Sequence, residues 1–578
     1  MRSRRELIDT LRESGGWNGV VVVGGGINGI GVYRDLAAQG VPVLLVEKGD
    51  FCSGTSAAPS RLIHGGLRYL ETGEFDLVRE SVEERNVLLL NAPHLVRPLP
   101  VWVPMFSYLK GLPGAALRFL GLRKDPGPKG AALIKVGLVI YDRFGKVKET
   151  MPKHRMVSLK EAFGAISGLT KSVRAVAEYY DARVISPERL GVEIVADAEA
   201  DEPRSLAIPY MAAVASKDGG LQLEDVLTGE RMRIEPSLVV NCAGPWLDEV
   251  NGRIGISEKL VGGTKGSHLV LRAPELAREL GERMIYFETP DHRACLIYAT
   301  DDEHCLLGTT DIRVENPSDN VCSDEEIDYL FDVLQKIIPD ETFTRKDIVF
   351  TYAGVRPLPK TGSGSTGAIS RDHAIRVFEP SGKRSFTVLG LVGGKWTTYR
   401  SCAEEIVDDV LERIGASRKR STRDLPIGGG HGLEGSQDAV TQLAGRLASR
   451  FGLDKALTLH LARRYGSKAE AMLEGFGEDG FEPLASASTY LVGEIRHAAE
   501  TERVTHLTDI VLRRTMLPFE GYATSQVIDE VGAIAGQTLG WSPEKLENEV
   551  GTCKQVLVTQ YRVEIEPSPD HAQSRVAV

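Results

Sequence analysis

Hydrophobic and polar positions near the start of the chain predict a strand, a turn, a helix and a second strand. Val20–Val23 is an apolar run typical of a buried strand. Gly24, Gly26 and Gly29 follow with G-x-G-x-x-G spacing, and a helical stretch then leads to a second apolar run ending at Glu47. Glycine-rich turns also occur in α/β domains without a cofactor. The full order favours a dinucleotide site, with a pyrophosphate at the helix N-terminus and a ribose at Glu47.

Later apolar runs bounded by turn residues predict more strands, with helical stretches between some of them. This mixture indicates a parallel sheet joined to a more antiparallel one. A second glycine turn, Gly393-Gly394, lies between a strand and a helix, and is either a second contact to the same cofactor or a plain turn. The predicted strands include residues 237–242, 267–271, 294–298, 305–308 and 385–390.

The pattern changes after Gly415. Residues 416–432 are basic, polar and glycine-rich, which predicts a linker. Residues 433–563 carry apolar positions at helical spacing and predict a separate helical domain, and residues 564–578 predict a polar, frayed tail.

Charge and cysteine content narrow the class of protein. The 578-residue chain has a formal net charge of −11, which gives no general attraction to nucleic acid. Its seven cysteines are scattered without a C-x-x-C pair, which argues against a disulfide framework or a zinc site and favours a reducing compartment. The charged N-terminus does not resemble a secretory signal, and no apolar window is long enough to span a bilayer. We therefore expect a protein that is soluble or lies on a membrane surface.

One basic window interrupts the acidic chain. Residues 118–155 contain ten Lys or Arg and three acidic residues, a net charge of +7, together with apolar stretches at 131–134 and 136–141. Apolar residues also crowd the preceding segment 101–120. Apolar faces with basic flanks suit an anionic leaflet, so region 101–155 predicts a peripheral membrane surface. The alternative is a solvated basic loop beside a core helix.

Residues 51–70, FCSGTSAAPSRLIHGGLRYL, closely resemble a signature of FAD-dependent, quinone-linked glycerol-3-phosphate dehydrogenases of the bacterial aerobic type. The resemblance covers about residues 18–540. Cys52, the run Ala57-Ala58-Pro59 and the long basic segment 120–130 depart from the usual pattern, which bears on the substrate more than on the cofactor. The further motifs, in chain order, are NAPHLVRPLP, YYDAR, VVNCAGPWLDEV, TKGSHLVL, LLGTTD, YAGVRPL, ISRDHAI, LVGGKWTTYR and EIRHAAETERVTHLTDIVLRRT.

The resemblance implies an α/β fold. We expect a Rossmann-like FAD-binding domain interleaved with a substrate domain built on a mixed or antiparallel sheet, together spanning 18–415. The substrate part would lie mainly at 90–180 and 255–370. An all-α C-terminal domain would follow.

Oxidation of a secondary alcohol by a flavin requires a base, a hydride acceptor and charge stabilisation. A neutral histidine near its unperturbed pKa suits the first task. By resemblance, His268 is the base candidate and His64 its competitor, while Arg356 polarises the reacting oxygen and Lys395 places an ammonium near substrate or flavin. Guanidinium groups suit a phosphate dianion, and the resemblance assigns it to Arg68, with Tyr69, and to Arg371.

The expected FAD contacts include both glycine turns, the acid after the second strand, and the hydroxyl-rich and L-I-H-G-G segments. No metal is expected, because no metal-binding motif occurs. The predicted FAD-binding residues are Gly24, Gly26, Ile27, Asn28, Gly29, Glu47, Lys48, Ser53, Thr55, Ser60, His64, Gly65, Gly66, Val214, Gly244, Gly394 and Thr397.

The resemblance implies oxidation of sn-glycerol 3-phosphate to dihydroxyacetone phosphate, with hydride transfer to flavin N5 and electrons passed to a membrane quinone. The enzyme would be cytoplasmic and bound peripherally to the inner face of the cell membrane. Alternatives are a phosphorylated tetritol as substrate, oxygen as acceptor, or a non-catalytic flavin-binding or tRNA-binding module. The oligomeric state, a homodimer among others, is left open.

Overall fold

A computed structural model describes residues 1–67, 70, 74–108, 131–144, 151–215, 219–289, 293–360, 372–382 and 384–565. The helices are α1 Arg4–Glu13, α2 Ile27–Ala38, α3 Phe75–Asn91, α4 Ala131–Phe144, α5 Leu159–Ala165, α6 Pro187–Asp201, α7 Leu247–Arg253, α8 Pro274–Leu280, α9 Asp324–Ile337, α10 Tyr399–Arg413, α11 Gln437–Phe451, α12 Lys455–Tyr465, α13 Lys468–Glu474, α14 Val492–Thr501, α15 Leu507–Asp509, α16 Ser525–Leu539 and α17 Pro543–Tyr561.

The strands are β1 Val20–Val23, β2 Val43–Glu47, β3 Leu62–Ile63, β4 Val96–Met105, β5 Arg155–Val157, β6 Ala175–Val184, β7 Leu206–Pro209, β8 Met211–Ala215, β9 Leu221–Asp225, β10 Arg231–Ile234, β11 Leu238–Asn241, β12 Val261–Arg272, β13 Met284–Glu288, β14 Ala294–Ala299, β15 His304–Gly308, β16 Ile312–Val314, β17 Ile348–Pro359, β18 Ala374–Phe378, β19 Thr387–Val392, β20 Pro483–Leu484 and β21 Ala487–Leu491.

The first sheet has the order β18-β19-β11-β1-β2-β7 and is parallel except for β18. Its central strand β1 is buried on both faces, which explains the unbroken valine run. Val20 and Val22 pack with α2, α6 and α10 on one side. Val21 and Val23 pack on the other side with α1 and the small sheet β8–β10.

The second sheet has the order β16-β12-β15-β14-β13-β4-β6-β3, with β17 also paired to β12 and β5 to β6. Its pairings are antiparallel except β4 with β13. One face packs against α5, α8 and α9. The opposite face shares a core with the C-terminal helices. The predicted combination of a parallel sheet and a largely antiparallel one is confirmed.

The C-terminal domain is helical, as predicted, but also contains the hairpin β20–β21. The prediction of a purely α-helical C-terminal domain therefore missed this hairpin. Strands this short show too little alternation of apolar and polar residues to be recognised in a sequence. The glycine cluster Gly428–Gly430 forms a buried turn, and a Cβ on Gly429 would lie 2.0 Å from the carbonyl oxygen of Tyr465. Among the helices of the described residues, none combines the length and hydropathy needed to cross a bilayer.

Candidate active site

The first glycine turn joins β1 to α2 and leaves no room for side chains. Gly24 has a φ of +106°, and a Cβ there would lie 2.7 Å from the carbonyl oxygen of Cys242. A Cβ on Gly29, in the first turn of α2, would lie 1.9 Å from the carbonyl oxygen of Gly24. Glycine at these positions lets β1, β11 and α2 approach closely.

The N-terminus of α2 is suited to an anion. Gly26 is its N-cap and supplies no side-chain hydrogen bond. The N–H of Ile27 donates to Oγ of Ser56 at 3.0 Å. Partial positive charge collects at such a helix end, and its first N–H groups lack partners within the helix. This is the local structure that favours a pyrophosphate.

Glu47 braces this turn at the end of β2. Its Oε2 accepts the N–H of Gly25 at 2.7 Å, and its Oε1 accepts the N–H of Gly49 at 2.8 Å. Burial raises the pKa of the carboxyl, although both hydrogen bonds act in the opposite direction. Each oxygen keeps a second acceptor position, which suits a ribose hydroxyl. The neighbouring Lys48 places Nζ 4.3 Å from the ring centre of Trp246.

The two glycine turns meet at Asn28. Gly394 has a φ of +95°, and a Cβ there would lie 2.7 Å from Nδ2 of Asn28. Oδ1 of Asn28 is buried and has no hydrogen-bond partner among the described residues. A buried amide oxygen normally has a donor. Asn28 is therefore a position where a bound group would supply one.

The L-I-H-G-G segment is held by residues from one loop, one strand and one helix. The N–H of His64 donates to Oγ1 of Thr397 at 3.2 Å. The N–H of Gly65 donates to Oδ1 of Asp181 on β6 at 2.9 Å and to the hydroxyl oxygen of Tyr141 on α4 at 3.0 Å. A Cβ on Gly65 would lie 2.2 Å from that hydroxyl oxygen. The segment is fixed by its backbone, with Gly66 completing the turn at a φ of +72°.

His268 lies buried on β12, on the sheet face that meets the C-terminal core. Its Nε2 is 2.8 Å from Oγ of Ser60, and Nδ1 has no partner among the described residues. Its ring stacks on Tyr352, with centroids 4.7 Å apart and planes 12° apart. The hydroxyl of Tyr352 donates to the carbonyl of Pro59 at 2.9 Å, so it also positions the segment that carries Ser60.

The pKa of His268 differs from the sequence-based expectation. Burial, with smaller contributions from the positive charges of Arg356 and Arg61, lowers this pKa from 6.5 to about 3. The imidazole is therefore neutral at physiological pH, as expected, but is not near its unperturbed pKa. The shift depends on burial in the folded protein, which cannot be predicted from the position of His268 along the chain.

Arg356 lies on the same face as His268, one strand away. Thr264 pairs with Arg356 and His268 with Tyr352 across β12 and β17. The guanidinium lies over Gly266, where a Cβ would be 2.2 Å from one of its nitrogens. It donates to Oδ1 of Asp311 and to Oγ1 of Thr309, both at 3.2 Å. The charge of Arg356 is thus fixed beside the neutral imidazole.

The other predicted substrate residues divide into two groups. Lys395 follows the second glycine turn, and its Nζ donates to Oγ of Ser81 on α3 at 3.3 Å. Arg68, Tyr69 and Arg371 lie outside the described residues.

The remaining predicted cofactor residues lie on the segments around these turns. Oγ1 of Thr55 donates to the carbonyl of Val355 at 2.7 Å. Ser53 follows β2, with its N–H bonded to the carbonyl of Asp50 at 3.1 Å. Val214 lies on β8, and Gly244 begins a short helical turn after β11 with a φ of +57°.

Comparison with known proteins identifies the protein family in which this set of site residues occurs. Residues 19–408 match the model of the "FAD dependent oxidoreductase" family. The chain belongs to this family. Residues 420–546 match the model described as "C-terminal domain of alpha-glycerophosphate oxidase". FAD is therefore the cofactor, and the flavoenzyme assignment made from sequence is confirmed.

The relatives place the chain among the glycerol-3-phosphate dehydrogenases of this family. It is 34% identical to the glycerol-3-phosphate dehydrogenase of Synechocystis, over 92% of this chain and 94% of that protein. It is 32% identical to the D-erythritol 1-phosphate dehydrogenase of Brucella abortus, over 86% and 93%. The glycerol-3-phosphate dehydrogenase of Bacillus halodurans, solved with FAD, shares the fold with a TM-score of 0.74 and 23% identity, over 96% of this chain and 98% of that one.

In this FAD dependent oxidoreductase, the C-terminal motif binds directly to the first turn region. Oδ2 of Asp50, three residues after β2, accepts Nε of Arg513 at 2.6 Å and a terminal nitrogen of Arg514 at 2.8 Å. Arg189 on α6 makes a two-point contact with Glu502, with both distances 2.9 Å. The resemblance in EIRHAAETERVTHLTDIVLRRT therefore marks a buried ionic joint between the two parts of the molecule.

Sequence reasoning missed three residues that support the cofactor segments. Ser56 was one hydroxyl among several in FCSGTSAAPS, without a spacing that distinguished it. Asp181 lay within the quoted motif YYDAR, which offered a signal. Tyr141 lay within an apolar stretch assigned to the membrane surface, yet its side chain is buried against Gly65.

Proposed function

We propose that this enzyme oxidises sn-glycerol 3-phosphate to dihydroxyacetone phosphate, with hydride transfer to flavin N5 and electrons then passed to a membrane quinone. The observation that carries the proposal is a neutral, buried His268 beside Arg356, next to the segments suited to FAD. The relatives named above support the substrate class.

The reaction removes a proton from the secondary hydroxyl and a hydride from its carbon. Bound FAD supplies the two-electron acceptor. Nε2 of His268 takes the proton from the substrate hydroxyl. In the structure this nitrogen contacts the hydroxyl group of Ser60, and the substrate hydroxyl can take the place of Ser60 as its hydrogen-bond partner. Arg356 stabilises the negative charge that develops on the reacting oxygen, because its guanidinium is already oriented by Asp311 and Thr309.

We assign the phosphate to Arg68, Tyr69 and Arg371 by resemblance, and Lys395 to the same end of the substrate or to the flavin. Three cations would match a phosphate dianion in a site where His268 stays uncharged. For FAD, Gly24, Gly26, Gly29 and Ser56 would support the pyrophosphate and Glu47 the ribose. Asn28, Gly65 and Gly394 would contact the part of FAD that lies between the two glycine turns.

We further propose that residues 101–155 meet the membrane. On α4, Val136 and Val139 are 58% and 47% exposed, whereas Leu138 and Tyr141 are buried. Phe106 and Tyr108, just after β4, are 46% and 57% exposed. The inner side of α4 contacts Gly65 through Tyr141, so a helix that touches lipid with one face would touch the flavin segment with the other. Segments 109–130 and 145–150 lie outside the described residues.

Two alternatives rest on specific observations. The 32% identity to a D-erythritol 1-phosphate dehydrogenase supports a phosphorylated tetritol as substrate. The C-terminal match to a domain named after an alpha-glycerophosphate oxidase supports oxygen as acceptor.

A panel of substrates and acceptors separates these possibilities. FAD-loaded enzyme is assayed for kcat/KM with sn-glycerol 3-phosphate, D-erythritol 1-phosphate and its enantiomer, D-erythritol 4-phosphate. Each reaction is run with a quinone under nitrogen and with oxygen alone. We expect the highest kcat/KM for glycerol 3-phosphate with quinone. A higher value for an erythritol phosphate would reassign the substrate, and faster turnover with oxygen alone would reassign the acceptor.

A further inference from the structure

A cluster of cations lies between the second sheet and the C-terminal domain, and its members make none of the hydrogen bonds described above for His268 or the glycine turns. Arg97 on β4 and Arg183 on β6 are direct cross-strand partners, so their side chains leave the sheet on the same face. Arg463 and His460 lie on one side of α12. Arg97, Arg183 and Arg463 are all half-buried.

The positive charge of this cluster is only weakly balanced by acidic groups in the described residues. None of these three guanidinium groups forms an ion pair with a carboxylate in the described part of the chain, and Nε of Arg97 is buried without a partner there. Within the described residues, Arg183 donates to the carbonyl of Ala299 at 2.9 Å, and its guanidinium carbon lies 6.0 Å from the ring centre of Tyr298. Elsewhere in this molecule buried arginines are matched, as Arg189 is with Glu502 and Arg514 with Asp50. Like charges placed directly opposite on a sheet destabilise it.

The electrostatics agree with this geometry. Burial, then the charges of Arg183 and Arg463, lower the pKa of Arg97 to about 9. Burial and the charges of Arg464, Arg463 and Arg97 lower the pKa of His460 to about 4. Glu282 and Asp301 are the acidic groups that act on the cluster, and their effect is smaller than that of burial.

We propose that Arg97, Arg183 and Arg463 form a binding site for a phosphate-like oxyanion, which bridges the substrate-domain sheet and the C-terminal domain. Guanidinium groups bind such oxygens through two parallel hydrogen bonds, and the buried Nε–H of Arg97 is a donor without an acceptor among the described residues. The interface between the substrate-domain sheet and the C-terminal domain is held close to this site, because Nε2 of Gln437 on α11 donates to the carbonyl of Pro93 at 2.7 Å. The bound anion stabilises this interface.

The test measures thermal stability of the FAD-loaded enzyme with inorganic phosphate, against sodium chloride at matched ionic strength. We expect phosphate to raise Tm above the chloride value in the wild type. Arg97→Gln and Arg463→Gln should lose most of this increment, with at least a tenfold higher half-saturating phosphate concentration. Arg446→Gln is the matched control, because Arg446 is exposed on α11, a helix that carries none of the three arginines. It should keep the full increment.

Phosphate bound in the substrate site is distinguished by the same variants, since neither Arg97 nor Arg463 belongs to that site. In chloride, Arg97→Gln should be at least as stable as the wild type, because removing one charge relieves repulsion. An equal Tm of the wild type in phosphate and chloride would overturn the proposal. So would an unchanged increment in both Arg97→Gln and Arg463→Gln.

Discussion

Oγ of Ser60 lies 2.8 Å from Nε2 of His268, although the two residues are 208 positions apart. Ser60 belongs to the segment between the first glycine turn and L-I-H-G-G, and His268 to the second sheet. Tyr352 and Tyr298 hold this segment from the sheet side through the carbonyls of Pro59 and Ser60, at 2.9 Å and 3.2 Å. The contact therefore places the base candidate directly beside the cofactor segments.

Replacement of His268 tests its role as base. His268→Ala should lower kcat by about 10²- to 10⁴-fold, the usual contribution of a positioned general base. Bound FAD should remain, because none of the hydrogen bonds described for the two glycine turns and Glu47 involves His268. Ser60→Ala is the paired variant and should have a much smaller effect, since it leaves Nε2 in place. Rapid-quench product formation and the flavin content of both proteins check this. Normal turnover of His268→Ala would refute the assignment.

The low pKa of His268 predicts a pH dependence of stability. The folded protein keeps the imidazole neutral down to about pH 3, whereas the unfolded chain binds a proton below about pH 6.5. The unfolded state thus holds more protons between these values. His268 should therefore cost about 1.4 kcal/mol of unfolding free energy per pH unit as pH falls below 6.5. Above that pH it contributes no such dependence.

Urea unfolding of the wild type and His268→Asn at several pH values measures this dependence. Asparagine does not titrate, so the difference between the two proteins isolates the histidine. We expect the wild type to lose stability relative to the variant as pH decreases. A difference independent of pH would contradict the buried, neutral imidazole.

Two helical glycines offer a matched test of the first turn. A Cβ on Gly29 would lie 1.9 Å from the carbonyl oxygen of Gly24, whereas a Cβ on Gly445 in α11 meets nothing within 4 Å. Gly29→Ala should abolish FAD retention or lower Tm strongly. Gly445→Ala should leave FAD bound and raise stability by up to about 1 kcal/mol, the usual helix preference for alanine. Flavin absorbance after gel filtration, with Tm, reports both; equal behaviour of the two variants would exclude the close turn.

The exposed valines of α4 test the membrane surface. Val136→Asp with Val139→Asp should reduce sedimentation with anionic phospholipid vesicles and reduce quinone turnover, while activity with a soluble dye is retained. Val558→Asp on α17 is the control, since Val558 is 47% exposed on a helix outside region 101–155. Undiminished vesicle binding by the double variant would remove α4 from the proposed surface.

The strands and the glycine turn of the first sheet could be predicted from sequence, because burial and backbone contacts within a short stretch of chain determine which residues occur there. Val20–Val23 is apolar throughout, since the strand is buried on both faces. The glycines at 24 and 29 are dictated by backbone contacts only a few residues away or across one strand. Short elements such as β20 carry too few residues to show a period, so the C-terminal hairpin was not predicted.

Relationships between distant segments were accessible only through the resemblance or not at all. The placement of His268 beside Ser60 depends on two sheets meeting, which no spacing reveals. The pairing of Arg97 with Arg183 depends on the register of β4 and β6. The burial of Tyr141 against Gly65 depends on which side of α4 faces the core, and the apolar stretch 136–141 did not distinguish its two faces.

Anaerobic single turnover measures directly whether sn-glycerol 3-phosphate reduces the enzyme-bound FAD. FAD-loaded enzyme is mixed with excess sn-glycerol 3-phosphate in the absence of any acceptor, and the absorbance of oxidised flavin is followed. We predict that the oxidised band disappears within the time of one turnover and that one dihydroxyacetone phosphate forms per flavin. Flavin that stays oxidised with glycerol 3-phosphate, in protein that remains folded and FAD-loaded, would rule out glycerol 3-phosphate as the hydride donor.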